Sequence, residues 1–131
     1  MKVDCFDIAA SGLSAQRARL DIIASNIANV ETTRTPAGGP YRRLQALFAS
    51  SARGPGGVDM IGAVQDPREF RRVYQPGHPE ADADGIVAYP NVNIVEEMVD
   101  LVSATRSYEA NAAAFNAARA MAQHALDLGR A

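Results

Sequence analysis

The stretch NIVEEMVDLVSATRSYEANAAAFNAARAMAQHAL, from Asn93 to Leu126, decides the fold of this chain. Its apolar residues recur every seven positions, which is the spacing of a helix that packs one face against another helix. Asn93 is predicted to cap the helix, with Glu96 reaching back to the cap, and Gly129 is predicted to end it. The predicted packing row is Ile94, Leu101, Tyr108, Phe115 and Ala122, with Met98, Thr105 and Ala112 as its companion row.

A second segment, from about Cys5 to about Val30, has the same seven-residue spacing. Small residues inside it, including Ser11 and Gly12, lower the helix propensity but allow another helix to approach closely. The two helices are therefore expected to depend on each other. The predicted rows are Phe6, Leu13, Leu20 and Ile27, and Ala9, Gln16, Ile23 and Val30, in which Gln16 is the one polar member.

Residues 36–90 have a different composition, since they contain all seven prolines and eight of the ten glycines. The segments YRRLQALFA, GVDMIGAVQ, FRRVYQ and GIVAY are predicted to be short strands separated by turns. The predicted domains are an N-terminal helix in 1–35, a β-containing insert in 36–90 and a C-terminal helix in 91–131. The expected fold class is mainly α, with two long terminal helices pairing as an antiparallel coiled-coil-like rod and a β-hairpin-rich subdomain between them.

Composition and charge argue against several classes of protein. Thirteen basic and fifteen acidic residues give a net charge of −2, without the basic excess of a nucleic-acid-binding domain. No run reaches the length of an apolar membrane span. The single cysteine, Cys5, cannot form an intrachain disulfide or a cysteine-based metal site. Asp4 and Asp7 interrupt what would be the apolar region of a secretory signal, which leaves two options, a cytoplasmic protein or one exported without cleavage.

No catalytic, cofactor or metal site is predicted. His78 and His124 lack partner residues at ligand spacing, so both are interpreted as ordinary surface residues. The segment HPEADADG resembles the start of a calcium loop but has Asn91 where a bidentate glutamate is needed, so an acidic solvated turn is expected.

Three arginines, Arg34, Arg42 and Arg43, flank the Gly38-Gly39 turn. They lack the strand, glycine-rich loop and helix N-terminus that together hold a phosphate. We therefore expect a structural or interface role for them rather than an anion site.

Two blocks of the sequence resemble the axial proteins of the bacterial flagellum, the family that forms its rod, hook and filament. These blocks are SGLSAQRARLDIIASNIANVETTRTPAGGPYRR and DPREFRRVYQPGHPEADADGIVAYPNVNIVEEMVDLVSATRSYEANAAAFNAARAM. The continuation TTRTPAGGPYRR is most similar to a subunit of the proximal rod. The resemblance implies a structural protein without enzymatic activity or cofactor, which transmits torque around the central export channel.

The resemblance also implies partners and a location. The implied partners are copies of the chain itself, the rod proteins FlgB, FlgF and FlgG, the protein FliE and the flagellar type III export apparatus, with no nucleic acid and no small-molecule substrate. The implied location is the periplasmic rod of the basal body, reached without a cleaved signal peptide.

The family motif and the helix rows together give the expected interface residues. The motif asparagines are expected to bond backbone groups at helix ends, Arg106 and Glu109 to form an ion pair, and Tyr108 to anchor the helix contact. The predicted set is Phe6, Leu13, Leu20, Ile23, Asn26, Ile27, Asn29, Thr33, Arg34, Arg42, Arg43, Asn93, Met98, Leu101, Arg106, Tyr108, Glu109, Asn111 and Phe115.

Three alternatives stay open at this point. The first is another axial subunit such as FlgB or FlgF. The second is a helical nucleic-acid-binding regulator, which the charge balance disfavours. The third is a small hydrolase using His78, for which no partner residues can be named.

Overall fold

The computed structural model describes residues 4–54 and 56–130. In chain order the elements are α1 (Asp4–Ala28), β1 (Leu44–Ser50), β2 (Val58–Gln65), β3 (Arg71–Tyr74), β4 (Ile86–Tyr89) and α2 (Ile94–Arg130). The predicted order of helix, β insert and helix is confirmed, as are the four short strands. Neither described helix combines the length and apolarity that a membrane crossing requires.

The two helices pack against each other in antiparallel orientation. The rings of Phe6 and Phe115 meet edge to face, with centroids 5.3 Å apart. Further along α1, Arg19 lies 3.6 Å from Asp100. The α2 residues that contact α1 have lower numbers as the α1 residue numbers rise, so the two helices run in opposite directions. With 37 residues against 25, α2 extends beyond the described start of α1.

The row of α2 that accompanies Leu101, Tyr108, Phe115 and Ala122 differs from the prediction. It consists of Glu97, Ala104, Asn111 and Ala118, of which Ala104 is fully buried. The predicted companion row of Met98, Thr105 and Ala112 is therefore wrong, and Met98 is 56% exposed. The small side chains of Ala104 and Ala118 on the observed row let the helix axes approach closely.

On α1 the most buried residues lie between α2 and the first hairpin. Ala9 and Ile23, both in a predicted row, are buried, whereas Phe6, Leu13, Leu20 and Ile27 are only half-buried. The hairpin explains the difference, because it covers a second side of α1. The backbone N–H of Val58 on β2 donates to the Ser11 hydroxyl at 3.1 Å.

The insert consists of two antiparallel hairpins. β1 pairs with β2 along its whole length, with a bulge at Leu47/Phe48, and β3 pairs with β4. Val87 on β4 is fully buried and anchors the second hairpin. The turn before β4 is held by the Asp82 carboxylate, which accepts the backbone N–H groups of Asp84 and Ile86, both at 2.9 Å.

Candidate functional site

Four buried polar side chains meet where α1 ends, β1 begins and α2 starts. Asn26, Arg43, Asp66 and Glu97 are each 5% exposed or less, and Glu97 is completely buried. We call these four residues the polar junction. Because polar and ionised groups are costly to bury without hydrogen bonds, each must find partners inside the protein.

Arg43 is the centre of the polar junction. Its Nε donates a short hydrogen bond to Glu97 Oε1, its Nη1 donates to Asp66 Oδ2 at 3.3 Å, and its Nη2 donates to Asp100 Oδ2 at 3.2 Å. Burial by itself lowers the pKa of Arg43, but the hydrogen bond and charge of Glu97, with Glu96 and Asp66, outweigh it and the net pKa is raised. The guanidinium therefore stays charged and is shared among three carboxylates, two on α2 and one in the loop after β2.

Asn26 joins both helices to the insert through its single amide. Its Nδ2 donates to Glu97 Oε2 at 3.1 Å and to the Leu44 carbonyl at 2.9 Å. Its Oδ1 accepts the Leu44 N–H at 3.0 Å and the Tyr41 hydroxyl at 2.9 Å. All four hydrogen-bonding positions of the amide are used, so the side chain fixes the end of α1 relative to β1 and α2.

Asp66 and Asn91 attach the loop after β2 to the start of α2. Asp66 accepts the side-chain Nε–H of Arg68 at 2.9 Å and its backbone N–H at 2.9 Å. The hydrogen bond from Arg68 is the main reason why the pKa of the Asp66 carboxyl falls to about 2. Asn91 accepts the Arg43 N–H at 2.8 Å and donates to the carbonyls of Asp66 and Arg68.

The predicted cap of α2 is confirmed in part. Asn93 Oδ1 accepts the backbone N–H of Val95 at 3.0 Å and that of Glu96 at 3.4 Å. The Glu96 side chain does not reach back to the cap as predicted. It accepts instead from Arg68 at 3.1 Å, because a charged donor on the neighbouring loop is a stronger partner than a backbone amide.

The three arginines of the turn segment have different surroundings. Arg43 was expected to contact a neighbouring subunit, and this is wrong because it is buried inside its own chain. Arg42 donates to the carbonyls of Asp66 and Arg68 and lies 4.3 Å over the Phe70 ring. Arg34 is exposed, 3.6 Å from Glu80, and remains available for a partner.

The other predicted residues spread over several environments. Within residues 4–54 and 56–130, Arg106 and Glu109 form no ion pair with each other, and both are exposed. Asn29 donates to the Ser25 carbonyl at 2.8 Å, as expected for an asparagine at a helix end. Of the others, Thr33 in the loop and Leu101 and Asn111 on α2 are half-buried, and Tyr108 is 39% exposed.

A patch of exposed apolar side chains lies on the side of α2 that faces away from α1. Its members are Val95, Met98, Val99 and Val102, which are between 54% and 69% exposed. We call these four residues the outer face of α2. A contiguous apolar patch of this kind is typical of a surface that binds another protein.

Sequence reasoning missed the burial of Asp66 and Glu97. A signal for Glu97 did exist, because Glu97, Ala104, Asn111 and Ala118 also recur every seven residues, and a polar residue in such a row indicates a specific buried contact. No local signal marks Asp66, whose partners come from the insert and from the loop that follows. The charges of the polar junction pair with one another, an arrangement suited to holding elements together.

Comparison with known proteins points to one family. The family model described as "Flagella basal body rod protein" matches residues 6–34, and the one described as "Flagellar basal body rod FlgEFG protein C-terminal" matches residues 83–128. The chain is 44% identical to the flagellar basal-body rod protein FlgC of Yersinia enterocolitica, with 98% of each chain covered. It is 42% identical to FlgC of Salmonella typhimurium over 98% of each chain, and 40% identical to FlgC of Bacillus subtilis over 95% of each chain. The chain therefore belongs to the FlgC family of flagellar basal-body rod proteins.

Proposed function

We propose that this chain is a structural subunit of the proximal rod of the flagellar basal body and works by packing its helices against neighbouring rod subunits. The observation that carries the proposal is its similarity to FlgC proteins over nearly the whole chain. The similarity to FlgC proteins also favours this subunit over siblings such as FlgB or FlgF, an alternative that the sequence left open. The function is mechanical, and no enzymatic step is part of it.

The outer face of α2 supplies the main contact in this proposal. Val95, Met98, Val99 and Val102 face away from α1, so the internal helix pair leaves them open to another molecule. The occupant is a terminal helix of a neighbouring rod subunit. Two observations support it. The family is named for a rod, which is an assembly, and residues 94–128 of α2 lie within the segment matched by the model described as "Flagellar basal body rod FlgEFG protein C-terminal".

Each predicted domain has its own role in the proposed rod. Residues 1–35 and 91–131 form an inner helical layer with coiled-coil-like packing around the export channel, and residues 36–90 form an outer piece. The partners are copies of the chain, FlgB, FlgF, FlgG and FliE, and the chain reaches the periplasmic rod through the type III export apparatus. The polar junction supports this scheme because it attaches the insert rigidly to both helices, so that force on a helix face reaches the insert.

Torque transmission follows from many repeated contacts. Each subunit of a helical array contributes the same apolar surface to its neighbours, and an array of heterologous contacts forms an open filament rather than a closed ring. The load is then divided over all subunits. Arg34, which is exposed at the edge of the insert, is a candidate for a polar contact at the rim of such an interface.

The test is a pair of charged variants expressed in cells that lack their own FlgC. The double variant Val95→Glu/Val99→Glu places two charges on the outer face of α2, and Asn116→Glu places one on an exposed position of the same helix about four turns beyond Val102. We expect the double variant to fold normally, with a free energy of unfolding within about 0.5 kcal/mol of the wild type, because both sites are exposed. We expect it to abolish rod assembly and swimming.

The control defines the specificity of the result. Asn116→Glu is expected to support normal rods, seen by electron microscopy of isolated basal bodies. Complete rods built from Val95→Glu/Val99→Glu would contradict the outer-face contact. Loss of rods in both variants would show that added charge anywhere on α2 is harmful, which would also count against it.

A further inference from the structure

Glu97 lies in the contact between the two helices, but its charged partner does not come from either helix. The carboxylate is completely buried and accepts from the Asn26 amide of α1 and from the Arg43 guanidinium. Arg43 precedes β1 and belongs to the insert. The α1–α2 contact thus contains an acidic group whose countercharge is delivered from outside the helix pair.

Other charges near the helix contact are already engaged. Arg19 on α1 is paired with Asp100 at 3.6 Å and is itself partly exposed. Arg68 bonds Asp66, a member of the polar junction, and Glu96, which lies at its partly exposed rim. Among the described residues, Arg43 is the cation that is hydrogen-bonded to Glu97.

The position of Arg43 depends in turn on the insert being folded. Its backbone N–H donates to Asn91, the next residue begins β1, and the Leu44 backbone is held by Asn26. Asp66, which orients a second nitrogen of the guanidinium, follows β2 directly. The observed position of the guanidinium therefore depends on residues that adjoin both strands of the first hairpin.

We propose that Arg43 and Glu97 form a conformational latch that makes the pairing of α1 with α2 conditional on folding of the insert. If the helices paired without Arg43 in place, Glu97 would lie at their contact as a charge with a single neutral amide as donor, and a carboxylate that has lost its charged partner destabilises the contact that holds it. The helices therefore stay apart until the hairpin delivers Arg43. This inference concerns the folding of the single chain and stands or falls independently of the role in the rod.

The experiment separates the latch from ordinary packing. The variant Ala46→Pro/Leu47→Pro disrupts β1, because neighbouring amides of a strand point to opposite sides and one of the two prolines must remove a donor to β2. Hydrogen exchange, read by mass spectrometry on peptides from 4–28 and 94–130, reports the helix pair in the full chain. We expect this variant to raise exchange in both helices by about tenfold or more.

Neutralising Glu97 should then release the helices from this dependence. We expect Glu97→Gln, added to the proline variant, to return helix protection to within about threefold of the wild type, because a neutral amide can be buried with Asn26 alone. The variant Arg43→Met/Glu97→Met in the same proline background tests the same point with apolar side chains of similar length.

Each outcome decides the proposal. Helices that keep their protection in the proline variant with native Arg43 and Glu97 would overturn it, since pairing would not need the insert. Helices that stay unprotected in both neutralised variants would also overturn it, because loss of packing alone would then explain the dependence. Rescue by either variant supports the latch.

Discussion

At the scale of single residues, Gly12 sets how closely the two helices approach. A Cβ at this position would lie 2.9 Å from Nδ2, the side-chain amide nitrogen of Asn111 on α2, which is too close for a real contact. Glycine inside a helix costs about 1 kcal/mol relative to alanine. Its presence is explained by the contact with α2 rather than by the stability of α1 itself.

Replacing Gly12 with leucine should force the helices apart. We expect Gly12→Leu to lower the free energy of unfolding by on the order of 1–3 kcal/mol, as for other overpacked contacts. The double variant Gly12→Ala/Asn111→Ala should be at least as stable as the wild type, because the clash is removed and alanine favours the helix. Urea denaturation followed by circular dichroism measures both, and a Gly12→Leu protein of wild-type stability would refute the close approach.

At the scale of the element, α2 depends on a defined start. The carbonyl of Asn93 accepts the first helical bond from Glu97, and its side chain satisfies the amides of Val95 and Glu96. Glu96 and Glu97 follow in the first turn, where the helix dipole favours negative charge. The capping residue and the acidic first turn both favour a helix start at this position, which lies directly beside the polar junction.

Removing the cap should destabilise the protein without changing its fold. We expect Asn93→Ala to lower the free energy of unfolding by about 1 kcal/mol, because two backbone amides lose their acceptor. Asn93→Ser keeps an acceptor oxygen and should stay close to the wild type. The two variants are compared by their urea midpoints, and equal losses in both would show that capping is not the reason for the effect.

At the scale of the whole molecule, the buried charges link stability to pH. Arg68 and Arg43 hold the pKa of Asp66 at about 2, below the ordinary value of 3.8. A carboxyl whose pKa is lower in the folded protein contributes stability above its unfolded pKa and loses that contribution as the pH falls through the folded pKa. The folded protein should therefore become less stable between about pH 4 and pH 2.

The variant Asp66→Asn should flatten this part of the pH profile. We expect the wild type to lose on the order of 1–2 kcal/mol from this group, less than the full shift implies because Arg68 is half exposed and screened by solvent. Asp84→Asn, on the exposed turn before β4, is the matched control and should keep the wild-type slope. Urea unfolding at several pH values measures the slopes, and an unchanged slope in Asp66→Asn would contradict the assignment.

Much of the architecture could be predicted from local sequence signals. The seven-residue spacing predicted the ends of both helices to within about two residues. Prolines and glycines predicted the insert and the turns between its strands. Asn93 was predictable as a cap because a cap acts on amides two and three residues away. The companion row on α2 was not predictable from spacing. The rows on both sides of Ile94 and Leu101 repeat every seven residues, and only the close approach of Gly12 on α1 to Asn111 on α2 selects one of the two rows.

The sequence by itself determined two amphipathic helices, a turn-rich insert and the absence of a strong charge bias, because all of these depend on neighbouring residues or on composition. Only the tertiary structure decided what Arg43 does. Its sequence neighbours suggest a surface arginine in a turn, yet its partner Glu97 lies 54 positions away on another element. Burial and ion pairing depend on which distant groups the fold brings together, and that information is not contained in any local stretch of the chain.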